Sequence, residues 1–168
     1  WWPEAGGEGL ALTHPTPTTW TVTDLEGTVT QFAQSAGSTS FDVVSTSAPS
    51  AAGATRYVYE SVAGISRLLR MIAPVEPGVD PSAPPGTACT GDLSLASAKG
   101  CEALVFEYAT ATNATTGTYA GRLSTIYAWA WNPATSAMVK TAVAQYAYGE
   151  SGRLREVHDP RISPNLTT

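Results

Sequence analysis

The segment YAYGESGRLREVHDPRI, residues 146–162, carries the clearest structural signal in this sequence. Tyr146 and Tyr148 lie two positions apart with a small residue between them, which is the spacing of side chains on one face of a β-strand. Gly152 follows, and glycine provides the positive φ that a tight turn requires. An arginine-leucine pair then begins a second run of alternating polar and apolar residues. The order of strand, turn and strand predicts a β-hairpin.

The same order of side chains recurs along the chain. Four segments share it: 19–33, 55–74, 104–131 and 143–162. The second and fourth carry the fullest signature, with Tyr57, Tyr59, Gly64, Arg67 and Leu68 in one and Tyr146, Tyr148, Gly152, Arg153 and Leu154 in the other. In the last three segments an arginine-leucine pair follows the glycine, and its leucine is expected to return an apolar side chain to the buried face, beside an outward arginine. A single hairpin cannot bury such a face alone, so neighbouring hairpins are expected to stack.

The rest of the chain predicts the same fold class. Helix signals are scarce, while 12 prolines and 15 glycines punctuate short runs rich in Thr, Val, Tyr and Trp. We therefore predict an all-β fold, an array of antiparallel hairpins that forms a curved sheet or part of a β-shell or solenoid, as one unit over 1–168. Long loops are predicted at about 74–103, which begins with a proline-rich stretch, and at about 109–118.

The run IYAWAWN, residues 126–132, predicts a strand with one aromatic face. Tyr127, Trp129 and Trp131 point one way, and Ile126 and two alanines point the other. Rings in this arrangement pack against a second layer of structure or line a cavity. The alternative is a ligand platform, because flat aromatic faces stack on sugar rings.

Composition excludes several kinds of partner. Of the 168 residues 43% are hydrophobic and 14% charged, and the net charge is −5, so the chain lacks the basic surface that nucleic acid or an anionic membrane attracts. No apolar run approaches the roughly 20 residues of a membrane-spanning helix. The first residues, WWPEAGGEGL, do not resemble a secretion signal. We expect the chain to be a segment of a longer protein.

Two cysteines, Cys89 and Cys101, flank a polar stretch. In an oxidising compartment they would form a disulfide that closes a short loop, whereas in a reducing compartment they would be two free thiols. Both alternatives stay open at this stage. The two histidines are far from the cysteines in sequence and no CxxC motif is present, so no metal site is predicted.

Catalytic motifs are missing from the sequence. It contains no G-x-S-x-G, HExxH or phosphate-binding loop. His158 and Asp159 are adjacent, but neighbours on a strand point to opposite faces and cannot orient each other. A hydrolase would need a pair of carboxylates, for example among Asp24, Asp42, Glu60 and Glu107. Nothing in the sequence pairs these residues, so a hydrolase is kept only as a formal alternative. We predict no enzymatic activity and no cofactor.

The repeated signature resembles the YD repeat of the RHS (rearrangement hotspot) family. The similar region covers most of the chain, from about Trp20 to Ile162. The aspartate of the family pattern is matched by Asp24 in the first segment, is Glu60 in the second, and is absent from the other two. Proteins of this family form a β-sheet shell that commonly encloses a C-terminal toxin in bacteria, and teneurin-like relatives use such a shell at cell surfaces.

This resemblance implies a structural function. The chain would be a non-enzymatic piece of shell wall in a secreted or surface-displayed bacterial protein. Its partners would be neighbouring repeats of the parent protein and an enclosed toxin, and its unpaired edge strands would favour self-association. The alternative function is a carbohydrate- or protein-binding module, with Tyr127, Trp129 and Trp131 as the platform.

Overall fold

The computed structural model describes residues 9–35, 38–51, 53–74, 89–95 and 98–162. Within these ranges it contains ten β-strands, every strand pairing is antiparallel, and no α-helix is present. The all-β prediction is therefore confirmed. The chain forms two compact units, Trp1–Ala83 and Pro84–Thr168. Compact parts also occur within single domains, so the prediction of one structural unit over 1–168 stays a prediction.

Six strands belong to the first unit. They are β1 (Ala11–Thr16), β2 (Thr19–Thr23), β3 (Val29–Gln34), β4 (Phe41–Ser47), β5 (Thr55–Val62) and β6 (Ile65–Ile72). Within this unit, each of the strands β1 to β5 pairs with the next along the chain. The segment 19–33 contains β2 and nearly all of β3, and 55–74 contains β5 and β6. The sequence signature did not identify β1 or β4.

Cross-strand aromatic pairs mark one face of β1 to β4. Trp20 lies opposite Phe32, and Phe32 lies opposite Val43. The His14 ring stacks on the Trp20 ring, with centroids 4.0 Å apart and planes 10° from parallel. Such pairs are the main source of stability within a sheet, and they explain why the alternation of Thr with larger side chains in β2 forms a strand.

The hairpin of β5 and β6 shows why its glycine is needed. Its two-residue turn has φ of 51° at Ala63 and 78° at Gly64, and two successive positive φ values define the turns that best match the twist of a hairpin. Tyr59 lies opposite Leu68 across the pair. The Arg67 Nε atom donates to a Glu60 carboxylate oxygen over 2.8 Å. The signature residues of this segment therefore lie on a hairpin as predicted.

Four strands belong to the second unit. They are β7 (Ala103–Tyr108), β8 (Leu123–Asn132), β9 (Ala137–Tyr148) and β10 (Leu154–His158). Each again pairs with the next. The segment 104–131 contains nearly all of β7 and β8, which a connection over 109–122 joins. Strand β9 begins six residues before the predicted segment 143–162. The proline-rich part of the predicted loop, 75–88, lies outside the described residues.

Few side chains are fully buried in either unit. In the described ranges the buried apolar residues are Ile72 in the first unit and Leu93, Ala98, Cys101, Ala103 and Met138 in the second. Most strand residues are half-buried. One expectation is wrong: Leu154, the first residue of β10, does not return to a buried face but is 53% exposed, because no second layer covers it within the described ranges.

Candidate functional site

The three aromatic side chains of β8 lie on one face of the second unit, and all three are half-buried. A cation lies over two of the rings. The Lys140 ammonium is 3.7 Å from the centroid of the Tyr127 ring, and the Lys99 ammonium is 5.3 Å from that of Trp131. These contacts are stabilising cation–π interactions. Ammonium groups therefore lie over two of the three rings in the strip of Tyr127, Trp129 and Trp131, where a ligand would have to stack.

An ion pair crosses β8 above this strip. Lys140 of β9 donates to the Glu107 carboxylate of β7, which lies on the far side of β8. The Tyr127 ring lies beneath the ammonium group. Both charged side chains are partly exposed, so the ion pair contributes little to stability by itself. Its effect is to hold the Lys140 side chain over the ring.

A disulfide joins Cys89 and Cys101, with Cα atoms 5.6 Å apart. The structure thus selects one of the two alternatives that the sequence left open. The closed loop contributes Leu93, which is 4% exposed, and Ala98, which is 7% exposed. It also carries Lys99, which reaches the Trp131 ring. The loop is therefore packed against the Trp131 end of the aromatic strip.

A row of polar side chains crosses the other end of the same face. Glu107 on β7 lies opposite Thr125 on β8, Thr125 lies opposite Gln145 on β9, and Gln145 lies opposite His158 on β10. We call these four residues the polar row. Because Thr125 is two positions before Tyr127, the row lies on the same face of β8 as the aromatic strip.

A small hairpin in the connection between β7 and β8 forms one wall beside this row. Its backbone pairs Asn113 with Thr118. The Gly117 carbonyl accepts a hydrogen bond of 2.7 Å from the Tyr148 amide of β9. A Cβ atom at Gly117 would lie 2.6 Å from the Cβ of Ala147, so only glycine lets the hairpin approach β9 this closely.

Between this hairpin and strands β8 to β10 lie two adjoining cavities of about 400 and 320 Å³. They share Thr116, Ala147 and Glu156, and we call them together the polar groove. Its polar lining includes Thr115, Thr116, Thr118, Ser124, Thr125, Gln145, Arg155, Glu156 and His158. The sequence singled out His158 but gave no reason to expect Gln145 or Glu156 beside it.

The carboxylates considered for catalysis have structural partners. Asp42 accepts hydrogen bonds from the Ser35 and Ser66 hydroxyls, each 2.7 Å long. Asp24 accepts the amides of Glu26 and Thr28 at 3.0 and 2.8 Å, which fixes a turn. The two others, Glu60 and Glu107, form the ion pairs given above. No two of these four carboxylates are paired with each other in the described residues.

Asp159 lies just after β10 and is bound by Arg161. The Arg161 Nε and Nη2 atoms donate to the two carboxylate oxygens over 2.9 and 2.7 Å, and the Arg161 amide also donates. These hydrogen bonds lower the pKa of Asp159 to about 2. His158 instead lines the polar groove. The two neighbours therefore face different surroundings.

Two tyrosines have raised pKa values. Burial is the main cause for Tyr148, whose hydroxyl donates to the Leu123 carbonyl over 2.8 Å. Burial is also the main cause for Tyr59, with a further contribution from the negative charge of Asp42. Both phenols are therefore protonated near neutral pH, where the Tyr148 hydroxyl can donate its hydrogen bond.

No protein-family model matches this chain, and no curated protein sequence is significantly similar to it. Within the described ranges no three His, Cys, Asp or Glu side chains come together as a metal site. The same ranges contain no helix that is long and apolar enough to span a membrane.

Proposed function

We propose that this chain is a non-enzymatic structural segment of a β-sheet wall of the RHS/YD-repeat type, which encloses or displays a C-terminal toxin or effector. The observation that carries the proposal is the strand order. In both units every strand pairs with the strand that follows it, always antiparallel. A chain of successive hairpins adds to a wall one strand at a time and needs no crossover.

The distribution of burial supports the same proposal. A sheet whose faces are mainly half-buried has not covered its apolar surface, and a stable sheet needs a second layer or further strands to do so. In a wall those layers come from neighbouring parts of the parent protein. The second unit buries more than the first, and five of the six buried apolar residues named above lie there.

The edge strands point to further strands as partners. All six residues of β1 are exposed, and on β10 both Leu154 and Val157 are 53% exposed. An exposed edge strand with apolar side chains pairs readily with another strand. In the proposed wall these edges pair with the neighbouring hairpins of the same protein.

The disulfide supports a secreted or surface location, since such bonds persist mainly in oxidising compartments. The alternative of a ligand platform on the aromatic strip receives less support. Cations lie over two of its three rings, and the disulfide loop packs at its Trp131 end.

Sedimentation velocity of the 168-residue chain tests the proposal. We expect association that increases with concentration, because open edges pair between copies. Val157→Lys places a charge on the edge strand and should weaken association about tenfold, or about 1.4 kcal/mol. Ser151→Lys is the matched control, because it adds the same charge in the turn before β10 and should change nothing. A stable monomer for the unaltered chain at all concentrations would contradict the wall proposal.

A further inference from the structure

The polar groove has the chemistry of a site for neutral sugars. We propose that it binds an uncharged saccharide of one or two residues, a function beyond the structural one. Its lining combines hydroxyl, amide, imidazole and carboxylate groups, so hydrogen-bond donors and acceptors are both present. Sugar hydroxyls also donate and accept, and they match such a mixed surface better than a ligand that offers only acceptors.

Several of these groups are available for a ligand. Within the described residues, neither the Glu156 carboxylate nor the Thr125 hydroxyl has a hydrogen-bond partner. His158 Nδ1 and Gln145 Oε1 are 3.5 Å apart, the outer limit for a hydrogen bond. The Gln145 amide nitrogen and the second ring nitrogen of His158 are therefore open to a ligand. A carboxylate beside neutral donors can accept hydrogen bonds from two neighbouring sugar hydroxyls.

The wall of the groove is held in place before any ligand arrives. The Asn113 side-chain oxygen accepts the amides of Thr115 and Thr116 over 2.9 and 3.3 Å. The Thr116 and Thr118 hydroxyls lie 3.1 Å apart. The hairpin is in turn fixed to β9 by the bond from the Tyr148 amide. A wall that is already ordered loses little entropy on binding.

Size and charge exclude other ligand classes. Cavities of about 400 and 320 Å³ fall in the range of small-molecule sites, roughly 300 to 1,000 Å³. The fixed charges of the groove are one guanidinium, on Arg155, and one carboxylate, on Glu156, and they balance each other. The groove therefore has no cationic cluster for a phosphate or sulfate.

Saturation-transfer difference NMR of the full 168-residue chain tests this site, because the method reads the free ligand and works whether or not the protein associates. The probes are cellobiose and N,N′-diacetylchitobiose, with inorganic phosphate as the anionic comparison. We expect transfer to at least one disaccharide with a Kd of about 1 mM, and no competition by phosphate.

Two variants locate the binding. Glu156→Gln removes the charged acceptor and should weaken binding at least about tenfold, and Thr125→Val should weaken it several-fold. Glu150→Gln is the matched control, because it removes the same charge in the turn outside the groove and should leave the Kd unchanged. Circular dichroism of each variant verifies the fold.

Three results would overturn the proposal. The first is no transfer to either disaccharide. The second is transfer that Glu156→Gln and Glu150→Gln leave equally strong, which would place the sugar elsewhere, for example on the aromatic strip. The third is displacement of the sugar by phosphate, which would make the groove an anion site. None of these results bears on the wall proposal, which rests on the strand order.

Discussion

Removal of the disulfide between Cys89 and Cys101 should destabilise the second unit by about 3 to 6 kcal/mol. The chain-entropy estimate gives about 3 kcal/mol for a closed loop of roughly 15 residues, and the sequence separation here is 12. The loop also buries Leu93 to 4% exposure. Release of that side chain to solvent adds about 1.5 to 3 kcal/mol if the open loop leaves the sheet.

The assay is equilibrium unfolding in urea of the oxidised chain and of the double variant Cys89→Ala/Cys101→Ala. Alanine is chosen because Cys101 is only 3% exposed, and a serine there would bury an extra hydroxyl. The matched control is a reducing agent, which should destabilise the unaltered chain and leave the double variant unchanged. Leu93→Ala in the oxidised chain separates the contribution of packing from that of chain entropy.

A double variant that loses less than about 0.5 kcal/mol, the range of ordinary surface substitutions, would refute this reasoning. The loop would then be neither an effective cross-link nor a packed part of the unit. Hydrogen exchange adds a local reading, since peptides from 98–108 should lose protection first when the bridge is absent.

Two further predictions concern a turn and a titration. Gly64→Ala should lower the free energy of unfolding by about 1 to 2 kcal/mol through its left-handed backbone alone, because no atom lies within 4 Å of the new Cβ. Ala63→Asn should instead stabilise the same turn. Urea unfolding measures both variants, and equal stability of the two would contradict the turn geometry. The Asp159 carboxyl should titrate near pH 2 by NMR, below its ordinary value of about 3.9. Any stability it contributes is therefore present above about pH 4 and lost as the pH falls toward 2. Arg161→Gln should return the pKa toward its ordinary value, and an unchanged titration would show that Arg161 is not its partner in solution.

Much of the fold was predictable because it depends on local side-chain order. The alternation around Tyr127, Trp129 and Trp131 predicted a strand and the common face of its three rings, and β8 has both. The glycines of the four hairpins all have positive φ, as the turn argument required. These features follow from the period of a strand and from the lack of a glycine side chain, which no distant contact alters.

The polar groove could not be predicted from the same patterns. Its wall depends on the contact of Gly117 with Ala147, two residues far apart in sequence that no periodicity connects. The polar row depends on register, and β-bulges in the pairs β7–β8, β8–β9 and β9–β10 shift that register by one residue. A shift of one residue decides which side chains meet across a sheet.

Strand β10 shows that side-chain alternation can predict a strand without predicting which of its side chains are buried. Its alternation correctly predicted a strand, yet Leu154 is exposed because burial depends on what lies over the sheet and not on the strand itself. The same limit applies to β1, which contains Pro15 and the exposed Leu12. Proline is tolerated at an edge, which agrees with the position of β1 in the first unit.

The most direct test of the wall proposal is electron cryomicroscopy of the longest natural polypeptide that contains this chain. The proposal predicts that the open edge of β10 pairs antiparallel with a strand of the next hairpin, and that Val157 is covered in that assembly. A map in which β10 keeps its edge in solvent, with this chain folded as a separate module, would contradict it.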